Sequence, residues 1–332
     1  MTPLSLLGVA GFMPDDVVPN AFFGPNVAAH RGMFTAPHER RHLRRDQTAS
    51  ALIAGAAERL IAKLELERAR DIDLLFTNVA LPDQAFTGCG AEVAHLLGIR
   101  PKRVVDLHNT GCVSFVCMLE LARALLRDSG ARGALLCCAQ TAGGRVFAQE
   151  GVRHEVHAPV PGDGAGVGYV ALSEVAPVLS LVSRCQPEFA SDMVAEAPDG
   201  RRYWEPGTSP ITLKFTEQRV AAIMHRGNAV VPELVAEACA RAGVHPRELE
   251  LLVTNQPNPI FLRNWREALE LPPEKHHDTF DRYGNLFGAA IPINLEDALA
   301  ARKLTGGALV ALGGFSHAGD YAAAAVLRWR RP

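Results

Sequence analysis

Apolar runs of strand length alternate along the chain with Ala- and Leu-rich stretches of helical period. Examples of the first kind are Leu74 to Phe76, Gly133 to Ala139 and Ala308 to Leu312; Met118, Leu119, Leu121, Ala122 and Leu125 show the second. Such alternation predicts an α/β fold whose sheets are covered on both faces. Two stretches repeat. Asp71-Ile72-Asp73-Leu74-Leu75-Phe76-Thr77-Asn78 matches Glu248-Leu249-Glu250-Leu251-Leu252-Val253-Thr254-Asn255, and each follows an Ala-rich amphipathic segment. Gly133-Ala134-Leu135-Leu136 matches Gly307-Ala308-Leu309-Val310 at nearly the same spacing. Two matches in register imply an ancestral half repeated, 1–174 and 175–332, with the boundary near Pro177. Functional groups are then expected just after equivalent strands, where loops of the two halves converge. Residues 186 to 212, rich in Pro, Gly and charge, predict a surface excursion or lid.

Composition narrows the class without changing that picture. The 332 residues are 48% hydrophobic and 21% charged with a net charge of −2, which excludes a disordered or nucleic-acid-coating chain. No apolar run approaches the roughly 18 residues that span a bilayer, and Met1 to Val9 lacks a basic n-region and a cleavage pattern. A soluble, cytoplasmic protein without membrane or nucleic-acid partners is expected. The cysteines, seven in number, form an odd set without paired metal spacing, as in a reducing compartment, and no metal is expected.

One cysteine stands apart. Arg103 to Leu107 is followed by His108-Asn109-Thr110-Gly111-Cys112-Val113-Ser114-Phe115 and then the helical pattern, so Cys112 lies at a strand-to-helix turn. The helix dipole and free backbone N–H groups there favour a thiolate and form half of an oxyanion hole. Gly162-Asp163-Gly164-Ala165-Gly166 lacks the Lys and the Ser or Thr of a P-loop and suggests close packing near the nucleophile. His108 is expected to be structural. His276 and His277 look like a polar linker before a strand-like Asp278 to Phe280.

In order and spacing these motifs resemble the ketoacyl-ACP synthase III family of the thiolase superfamily. Phe34 to Asp46 looks like its early Arg-containing stretch, Asp83 to Gly90 its acyl-pocket segment, and Asp106 to Phe115 its nucleophile turn. Gly162 to Gly166, Tyr283-Gly284-Asn285 with Ala289-Ala290-Ile291-Pro292, and Gly313-Gly314-Phe315 continue the match. The resemblance implies a thiolase-type α/β fold, two duplicated halves packed as five αβαβα layers. It also implies an acyl thioester on Cys112, Asn285 as a catalytic amide, and an oxyanion hole from the N–H groups of Cys112 and Gly313. Phe86 would line the acyl pocket by closing the partner's cavity in a homodimer. Arg40 and Arg41 would face the phosphates or pantetheine arm of coenzyme A or an acyl carrier protein. No cofactor is implied beyond these substrates.

The pattern breaks at two places. Where the family has His-Gln-Ala-Asn, this chain reads Asn255-Gln256-Pro257-Asn258, with the spacing to Asn285 kept. An amide donates a hydrogen bond but cannot relay a proton near neutral pH, which puts decarboxylative condensation in doubt. The last loop, Ser316-His317-Ala318-Gly319-Asp320, resembles relatives that acylate hydroxyl or amine acceptors with Cys, His and Asp. Those place the His at the position of Asn285 and the Asp at that of Asp320. His317 is therefore the candidate base and Asp320 its orienting carboxylate. The expected function is an acyltransferase of a specialised polyketide or fatty acid pathway. Its alternatives are a decarboxylating 3-oxoacyl-ACP synthase III and a non-catalytic subunit of a ketosynthase heterodimer.

Overall fold

A computed structural model describes residues 2–330. The first half runs β1 (Leu4–Phe12), β2 (Asp16–Pro19), β3 (Glu39–His42), α1 (Ala49–Leu64), α2 (Arg68–Asp71), β4 (Leu74–Val79), α3 (Gly90–Leu96), β5 (Arg103–Leu107), α4 (Ser114–Ser129), β6 (Gly133–Gln140) and β7 (Gly164–Leu172). The second runs β8 (Val178–Cys185), β9 (Val194–Glu196), β10 (Thr212–Lys214), α5 (Glu217–Arg241), β11 (Leu251–Thr254), α6 (Pro259–Ala268), β12 (His276–His277), α7 (Phe280–Tyr283), α8 (Ala290–Ala300), β13 (Leu309–Ser316) and β14 (Tyr321–Arg328).

Each half builds one five-stranded sheet, in the orders β1-β7-β6-β4-β5 and β8-β14-β13-β11-β12. These are the same order with equivalent strands exchanged. β4 pairs in parallel with β5 and β6, as β11 does with β12 and β13, and the remaining pairs are antiparallel. The repeated stretches ending at Asn78 and Asn255 are thus the equivalent strands β4 and β11, and the linker after Leu172 carries the chain from one sheet to the other.

Successive strand side chains point to opposite faces, so a strand buried on both faces feeds two apolar layers. Leu75, Leu135 and Cys137 pack outward with Leu52, Ile53 and Leu60 of α1. Leu74, Phe76, Leu136 and Cys138 pack inward with Val116 and Leu119 of α4, Ile291 and Leu295 of α8, and Val253, Val310 and Leu312 of the other sheet. Leu252, Leu309 and Ala311 meet Val231, Val235 and Trp265 of α5 and α6 in a third layer. Three apolar layers separated by two sheets are the five-layer αβαβα thiolase-type fold, with α4 and α8 shared in the middle.

The middle layer positions the chemistry. Asp163 is fully buried and accepts backbone N–H bonds from Leu43 (3.0 Å), Gly143 (2.8 Å) and Gly144 (2.7 Å). These donors are consumed by a carboxylate and leave none for a phosphate. A Cβ on Gly162 would stand 2.0 Å from the Tyr283 carbonyl, so only glycine lets the segment leading into β7 approach the loop that carries Asn285.

His276 and His277 are not a linker: they form β12, buried beside β11. His276 Nε2 lies 3.1 Å from Thr254 Oγ1, and His277 Nε2 lies 2.8 Å from Asp297 Oδ1. A strand of two residues is too short to show an alternation. The stretch read as strand-like instead turns, Asp278 accepting from the Phe280 N–H at 3.0 Å to open α7.

Candidate active site

β5 ends at Leu107, and Gly111 to Val113 form one tight helical turn before α4 starts at Ser114. Gly111 adopts a left-handed φ of 39°. A Cβ there would lie 3.1 Å from His317 Nε2 and Cε1, so glycine allows the imidazole to rest against the residue preceding Cys112. Cys112 opens into a cavity of about 360 Å³ together with Gly111, Asn255, Asn285 and His317. The other walls are mostly apolar, among them Phe34, Phe147, Phe215, Ile223, Phe261 and Phe315. Met193, Ala195 and Leu213 bring the excursion between β8 and α5 into this wall, so it covers the cavity.

Burial pushes the Cys112 thiol up to about 12, and the Asp320 carboxylate pushes the same way. The backbone N–H groups of His317 and of Cys112 itself, with the Asn255 amide, pull it back. The thiolate expected at a helix start is therefore not the resting form. α4 proper begins two residues later, and desolvation outweighs the donors that face the sulfur.

Asn255 is buried just past the end of β11; its Nδ2 donates to the Phe315 carbonyl at 3.2 Å and its Oδ1 has no partner among the described residues. Asn285 is held through its backbone, its N–H donating to Val160 O (2.9 Å) and its carbonyl accepting from Gly162 (3.2 Å). Its Oδ1 accepts from the Phe287 N–H at 3.0 Å, leaving Nδ2 as the donor on the cavity side. His317 and Asp320 share the short loop between β13 and β14. His317 is half-buried with a left-handed φ of 46°. Its Nδ1 lies 3.3 Å from Oδ1 of the buried Asp320, close but without hydrogen-bond alignment. The structure thus brings Cys112, Asn255, Asn285 and His317 to one cavity, with Asp320 behind the imidazole.

Four expected residues lie elsewhere. Gly313 sits inside β13, paired with Thr254 and Ala324, its carbonyl accepting from the Asn255 N–H at 3.2 Å and its Cα packed on Val235. It does not line the cavity, because the glycine pair is strand rather than loop; the second N–H facing the thiol belongs to His317. Phe86 is fully exposed and borders a separate groove with Pro82, Asp106 and His108 beside the edge strand β5, so it forms no part of its own chain's cavity. Arg40 is buried over the Phe23 ring and donates to Val18 O, Asn20 Oδ1 and Pro37 O. Arg41 donates to Asp15 O at 2.8 Å. Arg40 holds the loop between β2 and β3, Arg41 ties β3 to the turn before β2, and neither lines the cavity.

His157, absent from the sequence motifs, is a buried wall residue among Phe34, Phe147 and Phe215, its Nε2 3.2 Å from Thr212 Oγ1. Burial lowers its pKa. Nothing in its neighbourhood along the chain marks it; only the long-range contact with β10 does. Among the described residues no group of His, Cys, Asp and Glu is placed to hold a metal ion, and no helix is long and apolar enough to cross a membrane.

Residues 239–329 match the family model of the 3-oxoacyl-[acyl-carrier-protein] synthase III C terminal. The beta-ketoacyl-[acyl-carrier-protein] synthase III of Granulibacter bethesdensis is 28% identical over 93% of this chain and 95% of its own. That of Bacillus pumilus is 25% identical over 98% and 99%. The crystal structure of the Thermus thermophilus beta-ketoacyl-[acyl-carrier-protein] synthase III superposes with a TM-score of 0.82 at 26% identity, covering 99% of this chain and all (100%) of that one. The priming beta-ketosynthase of the R1128 polyketide pathway shares the fold, with a TM-score of 0.83 at 20% identity over 99% and 97%. The likeness runs along the whole chain, in a duplicated fold that sets a cysteine turn against the end of the equivalent half, and what this protein is similar to is the ketoacyl-ACP synthase III family.

Proposed function

We propose that this acyl-transferring thiolase-type enzyme takes an acyl group from an acyl-CoA or acyl-ACP thioester onto Cys112 and passes it to a second substrate, with His317 as the base. The observation that carries this reading is the His317 imidazole against Gly111, backed by Asp320, in a chain whose β11 is followed by Asn255 and not His. A thiol held near 12 needs a neighbour to take its proton. In the first step that proton moves to His317 and the sulfur attacks the thioester carbonyl. The N–H groups of Cys112 and His317 face the forming oxyanion. Collapse expels the donor thiolate, which leaves with the proton from His317. In the second step the acceptor loses a proton to His317 as it attacks the Cys112 thioester, with the Asn285 amide donating to the substrate carbonyl; the carbon–sulfur bond then breaks and the Cys112 sulfur takes the proton back from His317.

The relatives are named for the acyl carrier protein and the R1128 neighbour for polyketide priming; a specialised biosynthetic role accords with the changed base. Decarboxylative condensation is the competing reading, favoured by the kept Asn285. Single-turnover incubation with acyl-CoA and acyl-ACP donors, followed by peptide mass spectrometry, tests the proposal. The label is expected on Cys112 alone and lost in Cys112→Ala. Label on Cys89 or Cys117, or none with any donor, would overturn it, the latter in favour of a non-catalytic subunit.

A further inference from the structure

One side chain joins the cover of the cavity to the loop that carries His317. Arg226, on α5, donates from Nε to the Ala318 carbonyl at 3.0 Å and from Nη2 to Asp192 Oδ2 at 2.5 Å. Its guanidinium carbon stands 3.9 Å over the Phe189 ring. The planar fork of arginine suits it to hold two partners at once while stacking on a third. Ala318 lies between His317 and Asp320; Phe189 and Asp192 belong to the excursion, which enters the cavity wall one residue later at Met193. A second tie runs from the Gln186 N–H at the excursion's start to the Asp320 carbonyl, at 2.7 Å.

The loop needs such support. His317 and Gly319 have positive φ values of 46° and 97°, and a non-glycine residue held in that region persists only where its surroundings over-determine it. The His317–Asp320 contact lacks hydrogen-bond alignment, so it does not by itself fix the imidazole. Arg226 is only 16% exposed, and solvent screens its pairing less than that of a surface ion pair.

We propose that Arg226 is a positioning residue that ties closure of the excursion over the cavity to the placement of His317 beside Cys112. This rests on the reading of His317 as the base. Arg226 touches no reacting atom; it sets where the imidazole stands when the cover is in place.

The test measures the single-turnover rate of Cys112 loading against donor concentration from pH 6 to 9. Arg226→Gln should lower the limiting rate by on the order of 10- to 100-fold, the cost of a small misplacement of a catalytic group, and bring its pH profile toward that of His317→Ala. Asp192→Asn should lose less, and the Arg226→Gln/Asp192→Asn double variant should be no slower than Arg226→Gln. Arg226→Lys, whose ammonium can reach one partner at a time, should fall between. In a His317→Ala background each Arg226 variant should add no further loss. A slow His317→Ala beside a wild-type Arg226→Gln overturns the positioning role and leaves the base assignment standing. A wild-type rate in His317→Ala removes the base assignment itself. If Arg226→Gln does not fold, Arg226→Lys in the presence and absence of His317 decides, additive losses overturning the proposal.

Discussion

Replacing His317 by alanine should slow acyl loading of Cys112 far more than it weakens donor binding. With the thiol pushed up to about 12, roughly one sulfur in 10⁴ is a thiolate at pH 8, and holding it ionised there costs about 5 kcal/mol. A positioned base removes most of that cost, since general-base catalysis typically contributes about 10²- to 10⁴-fold. His317→Ala should therefore lose on the order of 10²- to 10⁴-fold in the limiting loading rate at pH 8. What remains should climb about tenfold per pH unit up to pH 9, as spontaneous ionisation supplies the nucleophile. Asp320→Asn, which keeps the shape of the orienting side chain and removes its charge, should lose less. Loading is followed by intact mass in a quenched time course, with thermal unfolding measured in parallel to exclude a folding defect. A His317→Ala protein that loads at the wild-type rate with the wild-type pH profile would refute the reasoning. The thiol would then be ionised by its own surroundings, the backbone N–H donors outweighing desolvation.

Asn255→His should raise malonyl decarboxylation on the order of 10²- to 10³-fold, the worth of one oxyanion donor, with loading changed only a few-fold; an unmodified protein that already condenses malonyl-ACP as fast as the variant would refute this. His276, buried and lowered to about 4, refuses a proton that the unfolded chain accepts below its ordinary value of about 6.5. Its contribution to native stability is thus full above pH 6.5 and lost as pH falls toward 4, by up to about 3 kcal/mol. Urea unfolding at pH 7 and pH 4.5 should show the loss shrinking in His276→Gln, and an unchanged slope would contradict the assignment. The edge strand β5, with Arg103, Val104 and Asp106 exposed beside the Phe86 groove, leaves unpaired strand groups of the kind that a second copy satisfies. Sedimentation at micromolar concentration should show a dimer, and a fully active monomer would contradict it.

What the chain determined by itself was the part written in local pattern. The matching stretches that end at Asn78 and Asn255 became equivalent strands because a buried strand needs only a short continuous apolar run, and the duplication repeats that run with its flanking helices. The turn at Gly111-Cys112 and the loop at His317 were legible for the same reason, since turn and cap residues act over a few positions. Tertiary structure decided everything that depends on what lies across the fold. Arg40 reads as a contact for coenzyme A or a carrier protein, yet β2 and the loop after it fold over the side chain and take up both of its terminal nitrogens. The glycines at 313 and 314 read as a loop, yet pairing on both sides makes them strand, and the donor beside the thiol passes to His317. Cys112 stands at a helix start, where local rules favour the thiolate, but its pKa follows from burial by residues far away in the chain. His157 and Arg226 sit in no motif; β10 and Phe34 give the one its place, Asp192 and Ala318 the other. Period and turn chemistry act between neighbours in sequence, whereas desolvation and long-range hydrogen bonding act between neighbours in space, which only the packed halves define.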